Sequence, residues 1–561
     1  MSEKLRIALL LAVAMLVYGN TLLNSFTMDD DIYVLHNPAV TSFSIKGLFE
    51  PATANTPFRF FRPVTFATFA LNRAVGGMQP FGYHLFNLLL HAAVTLLLYV
   101  VLRKLLETMP QGTTVAFVSA LLFAVHPIHT EAVASVVGRS ELLAAGFLLA
   151  AWLLHLHDRP VLTLVCFVLA LLSKESAVAF IPIVLAGDYA RGKLKPLLRY
   201  GLIAGTAVVY LAVLWKVQGG RFGAEGVTFL DNPLAHFPAS LRILNALRVA
   251  WKYVGLQVYP ATLSCDYSYN AIRLYSNWRH TAPAAIAALF VLALWIWAFW
   301  TQRKEWVLAG AIYLGGFAVT ANLLVPTGTI MAERLAYLPS AGFCLLVALL
   351  WIRLENHHRR LAWAAFAILV AALAARTVVR NRDWRDNFSL FSAAVRAVPG
   401  SAKMHANLGG EYFYRGQLDA ARMELQTALR IYPNYPEAME YNGLVESRLG
   451  HDQESRRLLE AALSMTGKGN INYDFAAVNL ATQLMKLGQN EDALKLLNEE
   501  IAASPGYSRA WSNRGVIRYG RGELASARED AQNALRLDPN NVQAQNLLNL
   551  LNAAAPLAPQ R

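Results

Sequence analysis

Charge is scarce in this chain. Only 16% of its 561 residues are Asp, Glu, Lys or Arg, where soluble globular proteins carry about 25%. That deficit excludes an ordinary water-soluble fold for most of the chain. Cysteine is nearly missing as well. Cys166, Cys265 and Cys344 show no metal-ligand spacing, and two of them lie in apolar runs, which excludes a disulfide framework and a thiolate zinc site. The net charge of +13 comes without any long basic tract. The basic residues stand in short runs between apolar segments, where membrane orientation accounts for them better than nucleic acid does. Residues 5–23 are followed by no small-residue cleavage pattern, so they read as a retained first span. The two halves show no inverted repeat, which disfavours a transporter.

What the sequence has instead is apolar runs of membrane-spanning length. Eleven are expected: 6–25, 83–102, 115–130, 137–156, 160–173, 176–188, 200–217, 281–300, 306–324, 334–352 and 360–378. With the N-terminus in the cytoplasm, Arg103-Lys104, the 157–159 loop, the 190–199 loop, the 301–304 loop and the 353–360 loop all fall inside, as the positive-inside bias requires. An odd number of spans then puts the loops 26–80, 218–280 and 325–333, and everything after about 380, on the other face. The 160–188 pair is read as two segments because a single span would invert every loop downstream.

From 396 to 561 the pattern changes to a period near 34. Asn407-Leu408-Gly409, Tyr412, Ala421, Leu425, Ala428 and Pro433 recur in part as Gly443 and Ala462, as Ala481, Ala493, Leu497 and Pro505, and as Gly515, Ala527, Ala534 and Pro539. Small residues at fixed offsets let paired helices approach, and the proline ends the second helix of a pair. This is the spacing of tetratricopeptide repeats. Their inner helices, with residues such as Asn479 and Asn513, are expected to face a peptide or protein, and a helix from 542 is expected to cap the stack.

The polar islands of the first part carry the chemistry. Asp29, Asp30 and Asp31 follow the first span. Adjacent carboxylates repel, so one is expected to hold its proton more tightly; they are a solvated turn, a general base for a hydroxyl acceptor, or a candidate divalent-cation site. His126, His129 and Glu131 lack the order of a zinc protease and read as the floor of a polar pocket, because ionisable groups at membrane depth are costly unless used or paired. Arg62, Arg139, Lys174 and Arg334 run against the positive-inside trend. They are candidates, with the two histidines, for holding a lipid phosphate or headgroup. Glu175, Asp266 and Glu333 are read as structural or pocket residues, and Lys174–Glu175 and Glu333–Arg334 have ordinary ion pairing as their plain alternative. No metal ligand is assigned.

The blocks FRPVTFATFALN (61–72), YHLFNLLLHAAVTLLLY (83–99), HPIHTEAVASVVGRSELLAAGF (126–147), KES (174–176), LSCDYS (263–268), ERLAYLPSAGFCLLV (333–347) and AKMHANLG (402–409) resemble, in order, the transmembrane and tetratricopeptide repeat-containing O-mannosyltransferases. The resemblance implies a GT-C-like multi-span α-helical membrane protein over 1–380 with a C-terminal α-solenoid of tetratricopeptide repeats over 396–561. It implies transfer of a sugar from a polyprenyl-phosphate donor to serine or threonine of a protein on the non-cytoplasmic face. The family's paired acids fall on Asp29 and Asp30, with Glu131 as a further catalytic candidate; Asp31 stands where relatives more often carry a small or polar residue. The 218–262 loop is shorter than its counterpart. Compact loops and few repeats suggest a bacterial relative whose outer face is the periplasm. A lipid- or glycan-directed transferase of the same fold and a non-enzymatic scaffold are the alternatives.

Overall fold

The computed structural model describes residues 1–42, 45–49, 60–220, 227–323, 325–467 and 471–553. Arg59 and parts of both long outer loops fall outside these. The chain forms two compact units, Met1–Gly400 and Ser401–Arg561.

In the first unit every one of the eleven apolar segments contains a helix: Glu3–Tyr18, Pro80–Leu105, Gly112–Val125, Arg139–Leu156, Pro160–Ser173, Phe180–Arg191, Leu197–Val217, Trp278–Trp300, Lys304–Phe317, Pro339–His357 and Arg359–Asp383. Six are long and apolar enough to cross a membrane by themselves, the first counted through Leu23, and a seventh span results if Gly112–Val125 and Pro127–Ala134 are taken as one broken helix. Gly112–Val125 lies at the centre, buried at nearly every position, so an all-apolar helix here is a core element. It packs against Pro80–Leu105 and Pro339–His357.

Two expected spans are modified by their polar residues. The 115–130 segment stops at Val125 because Pro127 cannot continue the hydrogen-bond ladder, and the chain turns by 53°. The 160–188 stretch is two helices, Pro160–Ser173 and Phe180–Arg191, separated by the 3₁₀ turn Glu175–Ala179. The 218–280 region is more than a loop. It holds the helix Ala239–Val258, whose Ala246, Val249, Tyr253 and Leu256 pack with Leu263, Tyr267, Ile330 and Met331 into a separate small core. Its apolar residues recur at a helical period but are too sparse for a spanning segment.

The second unit consists of four helix pairs, Ala402–Tyr414 with Leu418–Ile431, Pro436–Arg448 with Asp452–Met465, Ile471–Lys486 with Asn490–Ala503, and Ser508–Gly520 with Leu524–Leu537, closed by Val542–Ala553. A Cβ on Gly409 would stand 2.6 Å from Leu425, and one on Gly443 2.9 Å from Leu459; the repeated glycine is thus set by helix contact. The helix Asn387–Ala397 belongs to the first unit, so the repeats begin at Ser401 rather than near 396. Asn479 and Asn513 are not at the surface. Asn479 donates to Glu440 (2.6 Å) and accepts from Arg509 (3.2 Å), and Asn513 donates to Thr482 (3.0 Å). They join neighbouring repeats to one another.

Candidate functional site

The polar end-turns of the apolar helices of the first unit converge. Glu131 lies on the short helix after the His126-Pro127 break. Gly138 permits the next turn, since a Cβ there would stand 2.4 Å from the Ala132 carbonyl, and it delivers Glu141 on the first turn of Arg139–Leu156. Lys174 and Glu175 occupy the break before Phe180–Arg191. Arg62 immediately precedes the helix Pro63–Gly76. Arg334 stands on the 3₁₀ turn Glu333–Ala336.

Both sequence-adjacent ion pairs are split. Lys174 pairs with Glu141, while Glu175 takes a fork from Arg62 (Nε to Oε2 3.1 Å, Nη2 to Oε1 2.6 Å). Arg334 pairs with Glu131 through its guanidinium and its backbone N–H (2.9 Å), while buried Glu333 accepts from the Ser264 N–H (2.6 Å) and the Tyr267 hydroxyl (2.7 Å) and faces Arg380 at 3.6 Å. Neighbours in sequence project in different directions, so each residue found a distant partner. Burial pushes the Glu333 carboxyl up to about 7. Burial would raise Glu175 too, but the Arg62 guanidinium outweighs it and holds the group at about 2. Burial lowers Lys174, although Glu141 works against it. Arg334 is raised: burial would lower it, but Glu131, Asp29 and Glu141 prevail. A third of the Arg334 side chain remains exposed, and its guanidinium N–H groups other than those on Glu131 have no partner among the described residues.

The three aspartates separate. Asp30 is fully buried and accepts from the backbone N–H groups of Thr27 (2.9 Å), Val137 (2.9 Å) and Val136 (3.4 Å). Burial pushes its carboxyl up to about 7 against those three donors. It ties the first outer loop to residues 136–137 and has no face left for a substrate. Asp31 turns outward to His36 at 3.3 Å. Asp29 is half-buried, its carboxylate has no hydrogen-bond or ion-pair partner among the described residues, and it lies within electrostatic reach of Arg334. The three carboxylates therefore do not converge on a cation, and among the described residues no group of three His, Cys, Asp or Glu has metal-binding geometry.

Three expected headgroup residues are engaged elsewhere. His126 bonds the Gln257 carbonyl (2.9 Å) and accepts from the Ile128 N–H. His129 bonds the Ser340 hydroxyl (2.6 Å) and lies among Phe123, His91 and Tyr337. Arg139 is completely buried between Phe69 and Phe86, donating to Asn87, Thr68 and the Tyr83 carbonyl. All three hold the helix breaks in shape. Asp266 closes its own turn by accepting from Ser268. Glu141, which completes the cluster, is not among the site residues the sequence suggests; its signal is its place at the end of the polar run Gly138-Arg139-Ser140-Glu141, directly before an apolar stretch.

The arrangement presents one unpartnered carboxylate within electrostatic reach of a guanidinium with unused donors, in the field of the Lys174–Glu141 and Arg62–Glu175 pairs. That suits removal of a proton next to an anion that must be held.

The Tetratricopeptide repeat family matches residues 478–542. The chain is 28% identical to protein O-mannosyl-transferase TMTC3 of Mus musculus over 95% of its own length and 64% of that protein. It is 30% identical to a protein O-mannosyl-transferase of Caenorhabditis elegans, covering 76% of this chain and 63% of the relative, and 29% identical to protein O-mannosyl-transferase TMTC1 of Homo sapiens, covering 77% and 56%. The chain thus spans less than two thirds of the length of these curated relatives. They are animal proteins and do not bear out the expectation of a bacterial relative. Among solved structures, MamA of Desulfovibrio magneticus RS-1 is 26% identical over 27% of this chain and 84% of its own, with a TM-score of 0.24. A tetratricopeptide repeat protein of Thermus thermophilus is 15% identical over 36% of this chain and 99% of its own, with a TM-score of 0.27.

Proposed function

We infer that this chain, a relative of the transmembrane and tetratricopeptide repeat-containing protein O-mannosyl-transferases along nearly its whole length, is itself a membrane-embedded O-mannosyltransferase. It moves mannose from a polyprenyl-phosphate carrier to a serine or threonine hydroxyl of a protein, on the non-cytoplasmic face. The observation that carries this reading is the Asp29 carboxylate, unpartnered among the described residues, within reach of Arg334.

In the reaction the acceptor hydroxyl gives its proton to Asp29 as its oxygen attacks the anomeric carbon. The bond from that carbon to the phosphate oxygen breaks, and its electron pair stays on the phosphate. The unused donors of Arg334 receive the charge that develops there, with Lys174 and Arg62 behind it. A single displacement inverts the sugar configuration. Glu131, Glu141 and Glu175 orient the three cations and keep the site from carrying an excess positive charge before the donor arrives. Glu131, first expected to act chemically, serves here as a positioning residue. The leaving group is a monophosphate whose charge three side chains can neutralise. The repeat unit holds the acceptor.

The test is transfer in proteoliposomes. Purified chain supplied with radiolabelled polyprenyl-phosphate mannose and a serine/threonine-rich acceptor protein is expected to place label on the acceptor, released by an α-mannosidase or β-mannosidase according to configuration. Label that goes only to lipid or glycan overturns the protein acceptor, and no use of the donor overturns the reading itself.

A further inference from the structure

The helices Glu3–Tyr18 and Arg359–Asp383 are tied to each other at one end and parted at the other. At the tied end Asn20 donates to the Val378 carbonyl (2.9 Å), and Asn381 donates to the Val17 carbonyl (2.9 Å) and to Asn20 (2.8 Å). Toward the opposite end a cleft of about 920 Å³ lies between them, with Phe117 of the central helix Gly112–Val125 also in its lining. Leu9, Val13, Trp363 and Val370 make its walls apolar, and Ala367 and Ala371, one turn apart, leave room beside them. From Arg359 to Ala371 the cleft follows roughly 18 Å of helix. That is close to one leaflet, whose hydrocarbon half is about 15 Å deep.

The same lining ends in charge. Arg6, Gln111, Glu355, Asn356 and Arg359 close the cleft at the parted end, which the positive-inside bias assigns to the cytoplasm. Glu3 accepts from the Tyr99 hydroxyl (2.9 Å) and from the Arg103 guanidinium. Arg6, with 20% of its side chain exposed, is left at 4.0 Å from it. Glu355 accepts from Gln111 (3.4 Å) and faces Arg359 at 3.3 Å. Among the lining side chains, then, two guanidinium groups stand against one carboxylate. A ligand that suits both ends has a tail one leaflet long and a head with one unbalanced negative charge. A zwitterionic phospholipid brings its own cation and leaves the surplus unmet. Anionic lipids collect in the cytoplasmic leaflet, and basic pockets between spanning helices on that side hold their headgroups. A guanidinium adds the fork that matches phosphate.

We propose that this cleft seats one anionic phospholipid of the cytoplasmic leaflet, its phosphate held between Arg6 and Arg359 and one acyl chain lying along Leu9, Val13 and Val370. The lipid fills the gap between the parted helix ends and so braces the two helices that Asn20 and Asn381 join at the other end. The seat shares no residue with the charge cluster, and it does not depend on the reaction.

The experiment uses the full chain in phosphatidylcholine vesicles with a trace of phosphatidylglycerol carrying a diazirine in one acyl chain. After irradiation, adducts are mapped by mass spectrometry. They are expected on Leu9, Val13 and Val370, and added unlabelled phosphatidylglycerol is expected to displace the probe where the phosphatidylcholine of the vesicle does not. Arg6→Gln with Arg359→Gln is expected to lower this labelling at least tenfold. So is Ala367→Phe, which fills the groove and keeps both cations; it and the competition keep the test decisive if the double variant does not accumulate. Ile368→Phe, at an exposed position outside the cleft, is expected to label as the wild type does. Wild-type labelling in the double variant overturns the proposal, as do adducts spread equally over exposed Leu16 and Ile368. So does a tail-diazirine phosphatidylcholine that labels the same residues and is not displaced by phosphatidylglycerol, because the cleft would then hold bulk lipid. Displacement by polyprenyl phosphate at lower concentration than by phosphatidylglycerol overturns it as well, because the cleft would then belong to the sugar carrier.

Discussion

The adjacent acids show how far residue type falls short of residue role. Asp29 and Asp30 are chemically identical, yet one is half-buried with a carboxylate that has no partner among the described residues and the other is fully buried on three backbone N–H groups. Asp29→Asn removes the base and little else, so transfer is expected to fall by roughly 10²–10⁴, the usual worth of general base catalysis, with donor binding kept. Asp30→Asn replaces one accepting oxygen by an NH₂ facing other donors. It is expected to cost about 1–3 kcal/mol of stability, read as an earlier thermal transition in detergent, while the folded fraction remains active. Activity unchanged in Asp29→Asn and abolished in a well-folded Asp30→Asn would reverse these roles. Arg334 gives a second test. Arg334→Ala is expected to raise the donor KM and lower turnover, and Arg334→Lys to recover only part, because lysine supplies charge without the fork. Wild-type donor affinity in the alanine variant would move the phosphate contact to Lys174 or Arg62.

At the level of elements, the repeats contain an internal control. Ala428, Ala462 and Ala534 occupy one offset of the repeat, and Glu500 stands at the same offset in the third. It is fully buried, and its carboxyl lies against Asp474, which accepts from Ser504 (2.8 Å). Burial first, then the Asp474 charge, pushes Glu500 from 4.5 up to about 8. The folded state therefore holds a proton that the unfolded chain has lost, and between pH 4.5 and about 8 this carboxyl makes folding less favourable as pH rises. The loss is of order 1 kcal/mol per pH unit. Hydrogen exchange in Ile471–Lys486 and Asn490–Ala503, corrected for intrinsic rates, is expected to show protection falling across this window in the wild type and holding level in Glu500→Gln. A flat wild-type profile would remove the titration. Period and apolar runs made the helices legible in the sequence, because both depend on local side-chain spacing. Partners were not legible. Glu131 meets Arg334 across 203 residues, and no local pattern records such a pairing. The helix Ala239–Val258 is hard to read for a different reason: its apolar face is too narrow for a span.

For the whole molecule, the chain divides after Gly400 into two compact units. The first unit contains every member of the charge cluster, while the second is a stack of helices with its own core residues, such as Leu459, Leu480, Leu497 and Ile517. If the repeats serve to hold the acceptor, a chain ending after Gly400 should still bind the polyprenyl-phosphate sugar donor and hydrolyse it slowly to water, but should lose transfer to protein. A lipid- or glycan-directed enzyme would lose little. Accumulation in the membrane and donor binding show whether the shortened chain has folded, so failure of transfer can be assigned. A gentler variant asks the same question of the intact chain. Tyr414 and Phe475 are exposed aromatic side chains on the first helices of their pairs, and exposed aromatics supply much of the energy where one protein holds another. Tyr414→Ala with Phe475→Ala is expected to raise the KM for a protein acceptor at least tenfold and to leave hydrolysis of the donor unchanged. Equal KM in the double variant and full transfer by the shortened chain would together take acceptor recognition away from the repeats and place it on the outer loops of the first unit.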